Sequence, residues 1–361
     1  MRKVLIAYNN ISPHDAVGYD AIEEARLLQA AGWEVCLCAD SVHPELRSLT
    51  RTDVRAVAAD KAALLIYHHA VFWERGLHLL ESAKCKRVLR YHNITPAHFF
   101  SRYSADAYKN SFLARDQNRR MAAMGLERVI CDSNYNAREF AGYGVREDHL
   151  RVAAPFNRIE QLQRVRPSQR IVDQLRNDTV KVLFVGRVSP NKGHTDILHT
   201  AQAYKVLFGD NVHFIIAGGM DSALAGYYRD LRQLADRLRV SDLIEYVGQV
   251  PDEELAAYFA GSDVFLLLSE HEGFCLPILE AQAFGLPLLA RDCAAIGETA
   301  GANQLVYERE IGFEILAGAI KTLHERKEMS LYLSAQGRIN LERFSRDKLN
   351  REFSDCIEDL A

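Results

Sequence analysis

Short apolar runs without polar alternation recur along this chain, and most are followed by a stretch of helical character. Runs of that kind read as strands buried on both faces of a parallel sheet. In the first half, strands are expected at Val4–Ala7, Glu34–Ala39, Ala62–Tyr67, Arg87–Tyr91, Arg128–Cys131 and Leu150–Ala153. Helices are expected at Ala21–Ala31 (stopped by Gly32), Phe72–Ala83, Ala105–Met124 and Asn136–Tyr143, with a polar loop at Ile11–Tyr19. Pro155–Asp178 is polar and breaks the rhythm, as a connection between domains would. Strands then resume at Val180–Val185, Val212–Ala217 and Ile244–Val247, alternating with helices Thr195–Phe208, Leu224–Leu238 and Asp252–Ala260. Ile311–Arg326, Ser330–Leu341 and Ser345–Leu360 read as closing helices. Repeated strand–helix units predict an α/β fold of doubly wound parallel sheets with right-handed crossovers. At 361 residues there is chain enough for two such Rossmann-like halves, facing a cleft.

The formal charge of −4 argues against nucleic acid as a partner. The seven cysteines show no metal spacing; Cys36 and Cys38 are taken to point to opposite faces of a strand and to make a poor ligand pair. Reduced thiols and a cytoplasmic location are expected. The short apolar run at the start has no signal-peptide anatomy, and nowhere do the roughly 18 apolar residues of a membrane span occur.

The most informative stretch is Ser269–Ala290, SEHEGFCLPILEAQAFGLPLLA. Strand Val264–Leu268 runs into a polar loop, Pro277 suits the first helical position, Ile278–Phe284 forms a short helix ended by Gly285, and Leu286–Ala290 resumes as a strand. Glu280 is thus expected in the first helical turn and Glu272 in the loop before it, both at the carboxyl end of a parallel strand, where open sheets of this class bind ligands. Two carboxylates can accept hydrogen bonds from vicinal hydroxyls, and backbone N–H groups of Gly273, Phe274, Cys275 and the helix start, with Leu276 beside them, can donate to sugar or phosphate oxygens. Taken singly, either Glu reads as a helix-dipole carboxylate or a solvated loop residue. After Val180–Val185 comes Gly186-Arg187-Val188-Ser189-Pro190-Asn191-Lys192-Gly193. Gly186 allows a tight turn and Gly193 a close backbone approach by a ligand. Arg187 and Lys192 with the next helix start could neutralise a diphosphate, or could be two solvated cations.

Glu-Gly-Phe-x-Leu-Pro-x-x-Glu-Ala followed by Gly-Leu-Pro resembles the signature of the retaining GT-B glycosyltransferases of family 4, and Gly186-Arg187…Lys192-Gly193 resembles an element of the same family at the matching place. The resemblance is strongest over Lys181–Leu305. It implies a GT-B fold with an acceptor domain at 1–157, a donor domain at 158–344 including the linker, and a last helix, 345–361, packing back on the first. It implies transfer of a hexose from a nucleoside-diphosphate sugar with retention and without a metal or cofactor. Glu272 with Gly273–Cys275 would hold the sugar, Glu280 the ribose, and Arg187 and Lys192 the diphosphate; Gly218 and Val247, at the ends of successive strands, would line the base pocket.

In the first half, Arg90-Tyr91-His92-Asn93-Ile94-Thr95-Pro96 stands out, with His92 at a strand end. Family members carry a His near the transferred sugar, and Tyr-His-Asn-Ile-Thr-Pro resembles a subset in bacterial surface-polysaccharide assembly, many of them mannosyltransferases. Asn10, His68, Asn93 and Ser133 are candidates for the acceptor side of the cleft; His68 with His69 reads equally as a strand-end polar pair. The Ser12–Gly18 loop departs from the glycine pair usual after the family's first strand. His98–Arg120 mixes aromatic and basic residues, which suits either an anionic membrane face or a solvated helix with a packed aromatic side. A glycan or lipid-linked acceptor, met at the inner face of the cytoplasmic membrane, is the expected partner. A dinucleotide-dependent dehydrogenase is disfavoured, since Tyr8-Asn9-Asn10-Ile11-Ser12 and Gly218-Gly219 lack Gly-x-Gly-x-x-Gly. Another GT-B enzyme, such as a sugar-nucleotide epimerase or a phosphorylase relative, and a non-catalytic nucleotide-sugar-binding subunit are the alternatives.

Overall fold

The structure is a computed structural model that describes residues 2–13, 15–49, 54–308 and 310–360. Two compact units are present: residues 1–97, 108–157 and 344–361 form the first, and residues 98–107 and 158–343 the second.

The strands of the first unit are β1 (Lys3–Ala7), β2 (Asn10–Ile11), β3 (Glu34–Cys38), β4 (Ser41–Val42), β5 (Leu64–His69), β6 (Lys86–Tyr91), β7 (Arg128–Cys131) and β8 (Leu150–Val152). Six of them form one parallel sheet in the order β3-β1-β5-β6-β7-β8, while β2 and β4 pair separately. The helices are α1 (Ala16–Ala30), α2 (Val54–Ala59), α3 (Glu74–Ser82), α4 (Ala105–Ala122) and α5 (Asn134–Gly142). Alternate residues along each strand serve opposite core layers. Val4, Ile6, Ile66, Val88 and Ile130 share one layer with α1 residues and with Phe353 near the chain end. Leu5, Leu65, Tyr67, Leu89, Tyr91 and Val129 face the other way.

Three expectations are corrected here. Cys36 and Cys38 lie in the same core layer, because residues two apart on a strand share a face; all seven cysteines are free thiols. Helix α1 starts at Ala16, five residues before the expected Ala21, so the loop expected through Tyr19 is shorter. Asp15 caps the helix by accepting from the Gly18 N–H at 2.8 Å. Gly18 then sits inside the first turn, where a Cβ would lie 2.5 Å from the Ser12 carbonyl oxygen. His14 of that loop is outside the described residues. Finally, Pro155–Asp178 contains two short helices, α6 (Ile159–Arg164) and α7 (Gln169–Leu175), which bury Ile159, Leu162, Ile171 and Leu175.

The second unit builds a six-stranded parallel sheet from β9 (Val180–Val185), β10 (Val212–Ala217), β11 (Ile244–Gly248), β12 (Val264–Leu267), β13 (Leu288–Arg291) and β14 (Leu305–Tyr307). Its order is β11-β10-β9-β12-β13-β14, so the winding reverses between β9 and β12. Helices α8 (His194–Phe208), α9 (Ala225–Leu238), α10 (Asp252–Gly261), α11 (Leu276–Ala283), α12 (Ile296–Ala300), α13 (Phe313–Glu325) and α14 (Lys327–Leu341) surround it. The last helix, α15 (Arg346–Ile357), belongs to the first unit, where Arg346 pairs with Glu23 and Phe353 meets Phe156 at 6.0 Å between ring centroids. Among the described residues no helix is long and apolar enough to cross a membrane.

Candidate active site

At the reversal point of the second sheet, the loops leaving β9 and β12 meet; this is where doubly wound sheets open a ligand crevice. The Glu270 N–H donates to the Asn191 carbonyl at 2.8 Å, and Asn191 Nδ2 donates to the His271 carbonyl at 3.2 Å. Gly193 has φ +69°, and a Cβ there would lie 2.0 Å from the Leu268 carbonyl oxygen. The close approach this glycine permits is therefore made by the protein's own backbone. Gly218 is equally constrained: its Cβ would lie 2.0 Å from the Gly186 carbonyl oxygen, which ties the ends of β9 and β10 together.

Locking these loops brings Lys192 onto Glu272. Lys192 Nζ donates to both carboxylate oxygens, at 2.7 and 2.8 Å, across 80 residues of sequence. Glu272 is buried and Lys192 mostly so, their side chains being 9% and 18% exposed. Cys275, at the N-terminus of α11, adopts a left-handed conformation with φ 77°. Because that turn starts the helix at Leu276, Pro277 is the second helical residue and Glu280 the fifth. Glu280 thus lies in the second turn rather than the expected first. Its carboxyl is pushed above the usual range by burial, against the pull of Arg158; Asp252, ion-paired to Arg158 at 2.9 Å, adds to the rise. Burial pushes the Cys275 thiol well up as well, and Glu272, Lys192 and Glu280 all act on it, so the loop gathers these three groups around one inert thiol. Gly273 and Leu276 are half-buried and Phe274 is buried. Arg187 is exposed and, among the described residues, pairs with no carboxylate. Val247 is half-buried near the end of β11.

In the first unit the structure assembles a cluster that sequence reasoning found only in part. The strand period puts His68, Arg90, His92 and Asp132 on the α1 side at the carboxyl end of the sheet, where α1 supplies Asp20 and Glu24. Arg90 is 1% exposed and its Nε lies 3.0 Å from Asp20 and 3.2 Å from Glu24, with a terminal nitrogen 3.2 Å from Asp132. Both ring nitrogens of His92 are engaged: Nδ1 with Asp132 at 2.9 Å and Nε2 with His68 Nδ1 at 2.9 Å. His68 Nε2 meets Glu24 at 3.1 Å. Burial dominates the proton affinities here. It pushes Glu24 up to about 8 and Asp132 up to about 6, and His68 down to about 4; His92 falls well below the ordinary histidine range. One donor atom each of Asp20, His68 and His92 lies within 4.8 Å of the others, a spacing that suits a cation, but the Arg90 guanidinium already occupies the Asp20 oxygen. The signal for this cluster was present: Asp20 and Glu24 stand four apart on one helix face, and Arg90 interrupts an apolar strand.

Asn93, in a left-handed conformation at φ 73°, donates to Asn136 at 2.8 Å, and Ser133 caps α5 by accepting from the Asn136 N–H at 3.2 Å. Asn10 is exposed in β2, beside Ser41. Of the basic residues in His98–Arg120, Arg102 pairs with Asp230, Arg115 with Glu139 and Arg120 with Glu81, and Arg119 lies over the Tyr143 ring; Tyr108 and Phe112 are exposed.

Residues 165–339 match the family Glycosyl transferases group 1. This is a group 1 glycosyl transferase domain. Lys192, Glu272, Arg187, Gly218, Val247 and Glu280 all fall inside it. The chain is similar to D-inositol 3-phosphate glycosyltransferase of Geodermatophilus obscurus, with 30% identity over 65% of this chain and 54% of the relative. It is similar to O-antigen chain mannosyltransferase B of Escherichia coli, with 30% identity over 40% of this chain and 36% of the relative. The matched stretch spans about half the length of the first curated relatives it matches. Anabaena Alr3699/HepE, solved in complex with UDP and glucose, superposes with a TM-score of 0.75 over 99% of both chains at 18% identity. That likeness, with the two parallel sheets, gives the group 1 domain and its companion unit the GT-B fold.

Proposed function

We propose that the protein is a retaining, metal-independent glycosyltransferase. It moves a hexose, mannose in the first place, from a nucleoside-diphosphate sugar to a hydroxyl of a glycan or lipid-linked acceptor in surface polysaccharide synthesis. The observation that carries this is the Lys192–Glu272 pair at the reversal point of the second sheet, with Cys275 and Glu280 in the same loop and helix start. In the proposed reaction Glu272 and the Gly273–Cys275 backbone hold the sugar hydroxyls and Glu280 takes the ribose. Lys192 and Arg187 stabilise charge growing on the departing diphosphate. The acceptor attacks on the face the diphosphate leaves, and the leaving phosphate takes the acceptor proton. With both ring nitrogens of His92 bonded inside the first unit, His92 supports positive character at the sugar through the Asp132 carboxylate behind it. Mannose draws support from the E. coli mannosyltransferase relative, and a nucleotide-sugar donor from the HepE complex.

A thermal-shift series with GDP, UDP and ADP, followed by transfer assays with labelled GDP-mannose, UDP-glucose and UDP-N-acetylglucosamine, tests the reading. Saturation at 100 times Kd adds about 2.7 kcal/mol, a shift of several degrees. If no diphosphate stabilises the protein and no labelled donor is transferred or hydrolysed above background, the reading is wrong.

A further inference from the structure

We propose that Glu24, His68, His92 and Asp132 form one hydrogen-bonded chain carrying a single exchangeable proton, in which Glu24 is a positioning residue that sets which ring nitrogen of His92 bears hydrogen. The contacts run Glu24 Oε2···His68 Nε2 at 3.1 Å, His68 Nδ1···His92 Nε2 at 2.9 Å and His92 Nδ1···Asp132 Oδ2 at 2.9 Å. Three contacts need three protons. Two neutral imidazoles bring two, so the third belongs to the chain as a whole. Burial holds both rings neutral and raises both carboxyls, which leaves the third proton on a carboxyl.

Two arrangements satisfy every contact. In one, protonated Glu24 donates to His68 Nε2, His68 Nδ1–H donates to His92 Nε2, and His92 Nδ1–H donates to ionised Asp132. In the other, every bond points the opposite way and Asp132 holds the proton. They interconvert by three transfers: Glu24 Oε2 to His68 Nε2, His68 Nδ1 to His92 Nε2, and His92 Nδ1 to Asp132 Oδ2. Each ring gains a proton on one nitrogen and gives one up from the other. Arg90 faces the second oxygen of each terminal carboxyl, at 3.2 Å in both cases, and so stabilises whichever end is ionised. Asp20 also faces the chain from α1; its Oδ2 lies 3.0 Å from Arg90 and 3.7 Å from His92 Nε2, while its Oδ1 accepts from the Phe156 N–H at 2.6 Å. If the chain loses its proton altogether, both ends ionise and the facing lone pairs of His68 Nδ1 and His92 Nε2 break the central bond.

The consequence for catalysis rests on the proposed function. With the proton parked on Glu24, Asp132 is ionised at the carboxyl end of the sheet, which favours positive charge on a transferred sugar. The wire itself is tested without any substrate. Nitrogen-15 spectra of histidine-labelled full-length protein report the tautomer of each ring. In Glu24→Gln the ionised end is Asp132, an acceptor only, so His92 must carry hydrogen on Nδ1. In Asp132→Asn the ionised end is Glu24, so His68 must carry hydrogen on Nε2 and His92 on Nε2. Opposite His92 tautomers in the two variants are expected, and the same tautomer in both overturns the proposal. Should either variant fail to fold, the wild type suffices: raising the pH from 6.5 to 9.5 must shift His68 and His92 together on loss of one proton. His194, buried in the second unit, serves as an unresponsive control. Independent titration of the two rings, or stoichiometric Zn²⁺ binding by them, also refutes it. If transfer activity is present, the wild type should lose rate above about pH 8, where loss of the proton breaks the His68–His92 bond that holds the His92 ring in place, and Glu24→Gln should not; an identical alkaline fall in both removes Glu24 from the role even where transfer itself is confirmed.

Discussion

Replacing Glu24 by Gln should flatten the pH dependence of first-unit stability between pH 6.5 and 8. Burial raises the Glu24 carboxyl from 4.5 to about 8, so through this window the folded state holds a proton that the unfolded chain has released. Stability then falls as pH rises, with a slope approaching 1.36 kcal/mol per pH unit for one proton. Integrated from pH 6.5 to 8, with Glu24 half ionised at the upper end, the loss is roughly 1.5 kcal/mol. The side chain is 0% exposed, so solvent screening does not erode the effect. His68, His69 and His92 shift the other way and still add about 0.4 kcal/mol each as the unfolded histidines finish deprotonating above pH 6.5, a rise common to both proteins. Both tryptophans, Trp33 and Trp73, are buried in the first unit, so urea unfolding followed by tryptophan fluorescence isolates that unit. With a urea slope of about 2 kcal/mol per molar, the wild-type midpoint should lose roughly 0.7 M across the window relative to that of Glu24→Gln. Other groups titrate alike in both proteins and cancel in the difference. Parallel midpoints would mean that Glu24 is ionised at pH 6.5, and would refute the assignment of the proton.

Three further outcomes follow from the second unit. Arg187→Ala should lower transfer turnover about a hundredfold with an unchanged melting temperature, since the side chain is exposed. Lys192→Ala should cost a similar factor and also destabilise, because Glu272 is left buried without its partner; near-native rates in both variants would remove them from the diphosphate site. Gly193→Ala should lower stability by about 2 kcal/mol or more, from the left-handed φ and the clash with the Leu268 carbonyl, and an unchanged melting temperature would mean the loops are not locked as described.

Much of the fold could be read directly from residue order. Strands β7, β9 and β10 span the residues expected of them, each apolar apart from one polar residue in its first two positions, because a parallel strand buried on both faces leaves little room for alternation. The second-domain motifs were legible too, since Gly186, Lys192, Gly193 and Glu272 lie in short contiguous strings. What escaped were elements whose reason lies elsewhere in the chain. Strand β14 and helix α12 are only 3 and 5 residues long and owe their form to the neighbours they pack on. The true start of α1 hid behind Gly18, a poor helix former kept there by lack of space beside Ser12.

Residue order by itself determined that this chain would alternate strand and helix and would carry the local motifs of a group 1 glycosyl transferase domain, because periodicity and local strings are one-dimensional properties. Only the tertiary structure decided which charges meet. Lys192 reaches Glu272 because two loops converge where the winding of one sheet reverses. Glu24, His68, Arg90, His92 and Asp132 converge because strand register and the two-residue period stack them on one face beneath α1. Sheet pairing sets those distances, and burial then sets where the protons reside.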